Sequence, residues 1–199
     1  DSIRWIAVIQ KNSGIVKMVT ALSGLLKNMA KGFNEKVTLQ KELDFLGDYV
    51  TIEKVKYVEL FDLVVQVDEP ELYGALVIKL TLQPLVENAI YHGMEFMDGD
   101  GEIRIRAWRK DKDLFMSVSD NGLGMTLEQV KRLFGDTDHV PSGRGSGIGV
   151  KNVNQRIRLY FGNGYGLEIQ SEPDEGTTVT AHLPAISYEE VKKEGSNVK

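Results

Sequence analysis

The sequence contains no cysteine and only three histidines, His92, His139 and His182, among 199 residues. The lack of cysteine excludes disulfides, thiolate catalysis and cysteine-based zinc sites. Three scattered histidines do not favour a multi-histidine metal site. No apolar run reaches the roughly 20 residues of a membrane-spanning helix, and no signal peptide is visible. We therefore expect a soluble chain that makes no membrane contact itself.

Basic residues are fewer than acidic ones: 24 lysines and arginines stand against 29 acidic residues, for a net charge of −5. This balance argues against a partner held by neutralisation of many phosphates, so no nucleic-acid binding is expected. It leaves room for a nucleotide, whose few phosphates need only local donors. The length suits one core, or one core with a small helical appendage.

The first third of the chain predicts helices. Residues 1–10 start without an initiator Met, inside an amphipathic pattern, and we interpret them as the stub of an earlier helix in a fragment of a longer protein. Gly32 is a plausible end for the second helix and Thr38 a plausible N-cap for the third. Apolar stripes define these two helices, one over Ile15, Val19, Leu22, Leu26 and Met29 and the other over Leu39, Leu43, Leu46 and Val50.

The two apolar stripes need a surface to cover them. A homodimer built as a four-helix bundle would do so. The alternative is that the stripes pack on the following domain of the same chain.

From about Leu60 the periodicity changes to that of a sheet with helices. Strands are predicted over Leu60–Val67, around Ile103–Ala107, and over Leu114–Ser119, Leu167–Ser171 and Thr177–Leu183, with helices over Leu80–Tyr91 and Ile148–Phe161. Strands outnumber helices, and hairpins stand at both ends. The sequence thus predicts an α+β fold, a two-layer α/β sandwich of a mixed sheet covered by helices and preceded by an α-helical hairpin. The predicted divisions are 1–57, a helical dimerisation segment, 58–184, the sheet domain, and 185–199, a polar tail.

The segment from Asp120 to Met125 is the most informative in this region. Asp120 stands at the exit of a half-buried strand, where α/β layers commonly meet ligands. A carboxylate can accept a hydrogen bond from an amino group such as that of adenine. Gly122 and Gly124 allow the backbone to pass close to a flat ring, although an ordinary Asn-Gly turn explains the hexapeptide equally well.

The Leu80 helix carries a second polar group. Asn88 and His92 lie four residues apart on one face, with Glu87 beside them. An amide oxygen suits Mg²⁺, Glu87 could orient a metal-bound water, and His92 could reach a phosphate. By themselves these three residues also fit the solvated edge of a core helix.

A glycine-rich segment, Gly143 to Val150, opens the last predicted helix. Bare N–H groups at a helix N-terminus suit a phosphate. The segment lacks the third glycine of G-x-G-x-x-G, and no G-x-x-x-x-G-K-[ST] occurs, so neither a Rossmann unit nor a P-loop is predicted. A last and weaker signal is Gly176-Thr177-Thr178 at the entry to the final strand.

Together and in this order, these segments resemble the Bergerat-type ATP-binding domain shared by histidine kinases, gyrase, Hsp90 and the MutL proteins. The likeness covers roughly residues 60–184 and is specific only in combination. The matching elements are Glu87-Asn88 for the N box, Asp120-x-Gly122-x-Gly124 for G1, Gly145-x-Gly147-x-Gly149 for G2, Gly176-Thr177-Thr178 for G3 and Leu133-Phe134 for the F box.

Within that superfamily the chain resembles bacterial sensor histidine kinases of the LytS/YesM type. Two phrases carry this likeness, Leu82 to Ala89 and Gly147 to Arg156. Ile78 stands where these kinases often have Pro, and Val150 where Leu is usual. The family's phosphoacceptor histidine precedes the residues that match Asp1, so we expect this chain to bind ATP without autophosphorylating at that site.

The resemblance implies a division of roles. Asp120 would accept from adenine, with Thr178 helping through water, while Asn88 would coordinate Mg²⁺ and Glu87 would position a metal-bound water. Residues 125–142 would form a mobile lid. The phosphates would lie among Gly145, Gly147 and Gly149, with His92, Arg144 and Lys151 adding polar or charged contacts.

The resemblance also implies that the intact protein passes the γ-phosphoryl of ATP to an upstream histidine and then to a response-regulator receiver aspartate. This chain would be a cytoplasmic domain of a protein with a membrane-spanning sensor. Two alternatives remain at the level of sequence: a Bergerat-fold ATPase that uses Glu87 as general base for water, and a non-catalytic dimerising module whose glycine loops are structural.

Overall fold

The computed structural model describes residues 2–29, 36–56, 61–94, 99–134 and 148–187. In chain order its elements are α1 Ser2–Ile9, α2 Ser13–Met29, β1 Lys36–Thr38, α3 Leu39–Lys56, β2 Phe61–Val67, β3 Leu76–Ile78, α4 Leu82–Asn88, β4 Gly101–Lys110, β5 Asp113–Asp120, α5 Leu127–Phe134, α6 Ile148–Phe161, β6 Gly166–Glu172 and β7 Gly176–Pro184.

The five long strands form one mixed sheet in the order β2-β4-β5-β7-β6. Only the β2–β4 pair is parallel, and the other pairs are antiparallel. The short strands β1 and β3 pair separately, an element that the sequence did not predict. The predicted α+β class, with a mixed sheet layered against helices, is confirmed.

The register of β5 determines which side chains face the helices. Leu114, Met116 and Val118 alternate along the strand and are buried in the core with residues of α4 and α6. Asp120 continues the same alternation at the end of the strand, so its carboxylate lies on the helix-covered side. Phe115 lies on the other face, stacked between Trp108 and His182.

The predicted helical hairpin is present, because α2 packs against α3. Thr38 acts at the start of α3 as predicted, since its hydroxyl accepts a hydrogen bond from the Lys41 N–H at 3.4 Å. Gly32, the predicted end of the preceding helix, lies outside the described residues. In the described part of the chain, no helix has both the length and the apolar character needed to cross a bilayer.

The two apolar stripes have different environments. The α3 stripe packs in the core of the same chain, where Leu39 and Leu46 are almost fully buried. The alternative of packing within one chain therefore holds for α3. The α2 stripe remains open, with Leu22 48% and Leu26 59% exposed.

One helix was missed by the sequence prediction, because α5 lies in the segment assigned to a glycine-rich lid. Its N-terminus is a capping box: the Gln129 N–H donates to Thr126 Oγ1 at 3.4 Å, and the Thr126 N–H donates to Gln129 Oε1 at 2.7 Å. Thr126 and Gln129 have the spacing of that motif, so the signal was readable in the sequence.

The helix predicted over Leu80–Tyr91 starts and ends two residues later and has two parts. It begins at Leu82, which places Pro84 in the first turn, where its missing N–H costs nothing. After Asn88 it widens into a single π-helical turn, Ala89–Gly93. Such turns occur frequently at functional sites.

Candidate functional site

Asp120 lies at the end of β5 with few partners for its charge. The Gly122 N–H donates to its Oδ1 at 3.0 Å. Burial raises the pKa of this carboxyl to about 6, while backbone hydrogen bonds from Gly122 and Thr177 and the nearby His92 oppose that rise. A desolvated carboxylate with spare acceptor capacity is suited to a ligand that brings a hydrogen-bond donor.

The π turn after α4 is pressed against this carboxylate. A Cβ added to Gly93 would lie 2.7 Å from Asp120 Oδ1, and one added to Gly122 would overlap the backbone of Gly93. Gly124 has a φ of +62°, and a side chain there would meet the Glu172 carbonyl. The glycines of the predicted G1 element therefore allow three backbone segments to meet around one acid.

Asn88 is the last residue of α4 and is half-buried. His92 follows on the π turn, is exposed, and lies close enough to Asp120 to act on its charge. The structure thus places the end of α4, which carries Asn88, and the π turn, which carries His92, at the end of the sheet where Asp120 lies.

Glu87 faces a different neighbour. Its Oε1 accepts a hydrogen bond from Gln83 Nε2 at 2.9 Å. Burial is the main cause of the raised pKa of Tyr49 on α3, and the charge of Glu87 adds to it. Glu87 therefore lies near the contact between α3 and α4.

The start of α6 lies beside α4. A Cβ added to Gly149 would be 3.3 Å from the Cβ of Pro84, so the first turn of α6 passes close to the helix that carries Asn88. Gly149 is exposed and Lys151 is half-buried in that turn. Arg144, Gly145 and Gly147, with the lid beyond Phe134, lie outside the described residues.

Thr178 is not on the same side of the sheet as Asp120. It pairs with Ser119, and its hydroxyl donates to Ser119 Oγ at 2.9 Å on the opposite face. Thr177 is the cross-strand partner of Asp120 and is buried beside it. Thr177, and not the predicted Thr178, therefore shares the helix-covered face of the sheet with Asp120.

Two further residues hold the site together and were missed from the sequence. Asn121 Oδ1 accepts the Glu102 N–H at 2.7 Å, and its amide donates to the Asp100 carbonyl at 2.9 Å. Ser171 Oγ accepts the Met125 N–H at 2.8 Å and donates to the Gly176 carbonyl at 2.9 Å. Their contacts depend on strand pairing, which single-residue patterns do not reveal.

Within the described ranges, no group of three or more His, Asp and Glu side chains could hold a metal ion. The donor set at α4 instead offers one amide oxygen, from Asn88, beside a carboxylate at Glu87. Mg²⁺ commonly uses one or two protein oxygens and takes the rest of its ligands from water and phosphate. The residues present fit such an ion when it arrives with a nucleotide.

Comparison with known proteins agrees with this geometry. Residues 75–187 match the family model described as histidine kinase-, DNA gyrase B-, and HSP90-like ATPase, and residues 1–61 match a histidine kinase model. The chain belongs to this ATPase family, which implies ATP binding. The resemblance of the chain to sensor histidine kinases of the LytS/YesM type is confirmed.

Two of the similar curated proteins are named as sensors. Sensor histidine kinase YesM of Bacillus subtilis is 36% identical over 184 residues, covering 92% of this chain and 30% of that protein. Sensor protein LytS of Staphylococcus saprophyticus is 33% identical over 86% of this chain and 28% of its own length. The chain thus spans about a third of the length of these relatives.

Solved structures agree on the fold. The catalytic domain of histidine kinase ThkA superposes with a TM-score of 0.58 at 19% identity, over 76% of this chain and 95% of that domain. The mycobacterial sensor histidine kinase MprB gives 0.55 at 17% identity, over 77% of this chain and 99% of that one. At these identities the likeness concerns the fold alone.

Proposed function

We propose that this chain binds Mg²⁺·ATP at the end of β5 and supplies its γ-phosphoryl group to a histidine, from which a response-regulator aspartate receives it. The observation that carries the proposal is the desolvated Asp120 carboxylate, packed against the π turn that follows Asn88. Names of relatives that include "histidine kinase" support the acceptor chemistry.

Different side chains contact different parts of the nucleotide and its metal ion. Asp120 accepts from the adenine amino group, and Thr177, rather than Thr178, adds a hydroxyl on the same face. Asn88 supplies an oxygen to Mg²⁺, which neutralises phosphate charge when bound. His92 reaches the phosphates from the π turn and Lys151 from α6, and Glu87 orients a metal-bound water.

The beginning of α6 receives the phosphates. Gly149 leaves one position of the first turn without a side chain, and the helix N-terminus favours an anion. Arg144, Gly145 and Gly147 complete the phosphate contacts, and residues 125–142 close over the nucleotide and exclude water. In that segment α5 provides a rigid piece, capped by Thr126 and Gln129.

The helical segment, residues 1–57, forms a homodimer through α1 and α2. Support comes from apolar side chains that are open to solvent in one chain, among them Trp5, Leu22 and Leu26. We further propose that 58–184 is the ATP-binding domain, that 185–199 is a tail, and that the whole is the cytoplasmic part of a membrane-attached sensor.

The competing ATPase function needs Glu87 as a general base for water. The hydrogen bond from Gln83 on the same helix occupies one of the two Glu87 oxygens, which disfavours proton abstraction while the other oxygen can still orient a metal-bound water. The experiment is calorimetric titration with Mg²⁺·ATP combined with a phosphate-release assay. Our proposal predicts binding with negligible sustained release, whereas steady release that depends on Glu87 would favour the ATPase.

A further inference from the structure

The N-terminus of α4 is bound by a carboxylate from another helix. Glu42 on α3 is 1% exposed. Its Oε2 accepts the Leu80 N–H at 2.9 Å, and its Oε1 accepts the N–H groups of Thr81 at 2.7 Å and Leu82 at 2.9 Å. Three consecutive backbone donors thus converge on one buried side chain, 38 to 40 residues earlier in the sequence.

The backbone before α4 is shaped for this contact. Leu80 has a φ of +59°, a left-handed conformation that is unfavourable for a residue with a branched side chain. Thr81 returns to the right-handed region, with φ −85° and ψ −47°. Alternation of left- and right-handed residues turns successive N–H groups into a concave anion site, and here the anion is the protein's own Glu42.

The carbonyl groups of the same turn are also occupied. Arg156 on α6 donates from Nη2 to the Lys79 carbonyl at 2.8 Å, and Thr81 Oγ1 donates to the Ile78 carbonyl at 2.6 Å. Burial raises the pKa of Glu42, whereas its three N–H donors and the charge of Arg156 act in the opposite direction. Both Glu42 oxygens and the three N–H groups are paired with each other, and buried hydrogen-bonded groups of this kind favour one geometry.

We infer that Glu42 is a positioning residue for the nucleotide site, because it fixes the N-terminus of the helix whose last residue is Asn88. The helix α4 has only seven residues, so Asn88 lies about 9 Å along the axis from Leu82. Its other end is fixed by Gly93 against Asp120. A displacement of α3 is transmitted through Glu42 to Asn88, and this links the helical segment to Mg²⁺ binding.

The inference rests on the proposed function, in which Asp120 holds adenine and Asn88 holds Mg²⁺. The test compares Glu42→Gln with unmodified protein by calorimetry, using ATP with Mg²⁺ and ADP with chelator. Removing a group that orients a metal ligand commonly costs about 10- to 100-fold in metal affinity. We expect Glu42→Gln to lower the Mg²⁺-dependent gain in affinity about tenfold and to change Mg²⁺-free ADP binding by less than about twofold.

Leu114→Ala provides the control for a purely structural loss. Leu114 is fully buried, on the same strand as Asp120 but about 20 Å away, so its truncation destabilises the core without removing a hydrogen bond to the N-terminus of α4. If Glu42→Gln lowers both affinities by the same factor, as simple destabilisation would, or retains the Mg²⁺ gain, the inference is wrong. If unmodified protein fails to bind ATP at all, the proposed function fails instead.

If Glu42→Gln does not fold, NMR of the unmodified protein decides. The amide resonances of Leu80, Thr81 and Leu82 should move when Mg²⁺·ATP is added and stay nearly fixed with Mg²⁺-free ADP. Unchanged resonances under saturating Mg²⁺·ATP would overturn the inference.

Discussion

At the scale of single residues, the site depends on the carboxylate of Asp120, which folding holds in a desolvated position. Asp120 is desolvated by its position on the helix-covered face of β5, and backbone donors from Gly122 and Thr177, with the nearby His92, oppose the resulting rise in its pKa. A bound ligand that donates to this carboxylate would replace the lost water. Stability and binding therefore oppose each other at this position.

Asp120→Asn should stabilise the protein in the absence of nucleotide while it abolishes tight ATP binding. Because folding raises the pKa from 3.8 to about 6, Asp120 favours the folded state below its unfolded pKa, and that stability is lost as the pH rises through about 6. We expect the variant to gain about 1–3 kcal/mol at neutral and alkaline pH and almost nothing near pH 4. Urea unfolding across this range measures the difference, and a pH-independent difference would contradict the assignment.

The same pKa predicts a pH dependence of binding. Protonation removes an acceptor from Asp120, so ATP affinity should weaken as the pH falls through about 6. Calorimetry at several pH values gives the profile. An ATP affinity that stays constant as the pH passes through about 6 would contradict the assignment of this titration to Asp120.

Asn88→Ala should remove the Mg²⁺ dependence of ATP binding and leave Mg²⁺-free ADP binding within about twofold, because adenine is held by another residue. Asn163→Ala, at an exposed turn after α6, is the matched control. Equal losses with and without Mg²⁺ would show that Asn88 is not a metal ligand.

Gly122→Ala should weaken both folding and nucleotide binding, since its Cβ would overlap the Gly93 backbone. A destabilisation of about 1–3 kcal/mol is typical of overpacking. Gly164→Ala is the control, because a Cβ there meets nothing within 4 Å. Thermal unfolding of both variants tests the difference, and equal midpoints would refute the close approach.

At the scale of elements, the sequence predicted those features that depend on residues close together in the chain. The helix α6 was predicted with its observed bounds, from Ile148 to Phe161, because its apolar face and the stop at Gly162 lie within one segment. The side of the sheet on which Thr178 lies could be obtained only from its pairing with Ser119. Likewise, the sequence did not indicate that Glu42 accepts hydrogen bonds from the N–H groups of Leu80 to Leu82, because only folding brings the two segments together.

The apolar surface of α2 gives a prediction at this scale. Leu22→Asp with Leu26→Asp should convert a dimer into a monomer, because both side chains are about half exposed in one chain and would be covered by a partner. Analytical ultracentrifugation measures the change. Leu159→Asp, at an 83% exposed site on α6, should leave the dimer intact. A monomeric parent protein would contradict the dimer proposal.

At the scale of the whole molecule, the sheet, the pinned helix α4 and the start of α6 converge on one end of the domain. The sequence predicted this convergence because four short motifs matched one family in order, and the family was then confirmed over residues 75–187. The sequence left two surfaces open for the apolar stripe of α3, a partner chain in a homodimer and the following domain of the same chain. The structure has the second arrangement, with α3 packed into the core. Because α3 binds the N-terminus of α4 through Glu42, the helical segment helps to position the site.

The central claim is that this chain holds ATP through Asp120 and Mg²⁺ through Asn88. Isothermal titration of the unmodified chain with ATP, with and without Mg²⁺, tests it most directly beside the Asp120→Asn variant. The account predicts one site per chain, tighter binding with Mg²⁺ and loss of binding in the variant. Absence of binding to the unmodified chain, or equal affinity in the variant, would contradict it.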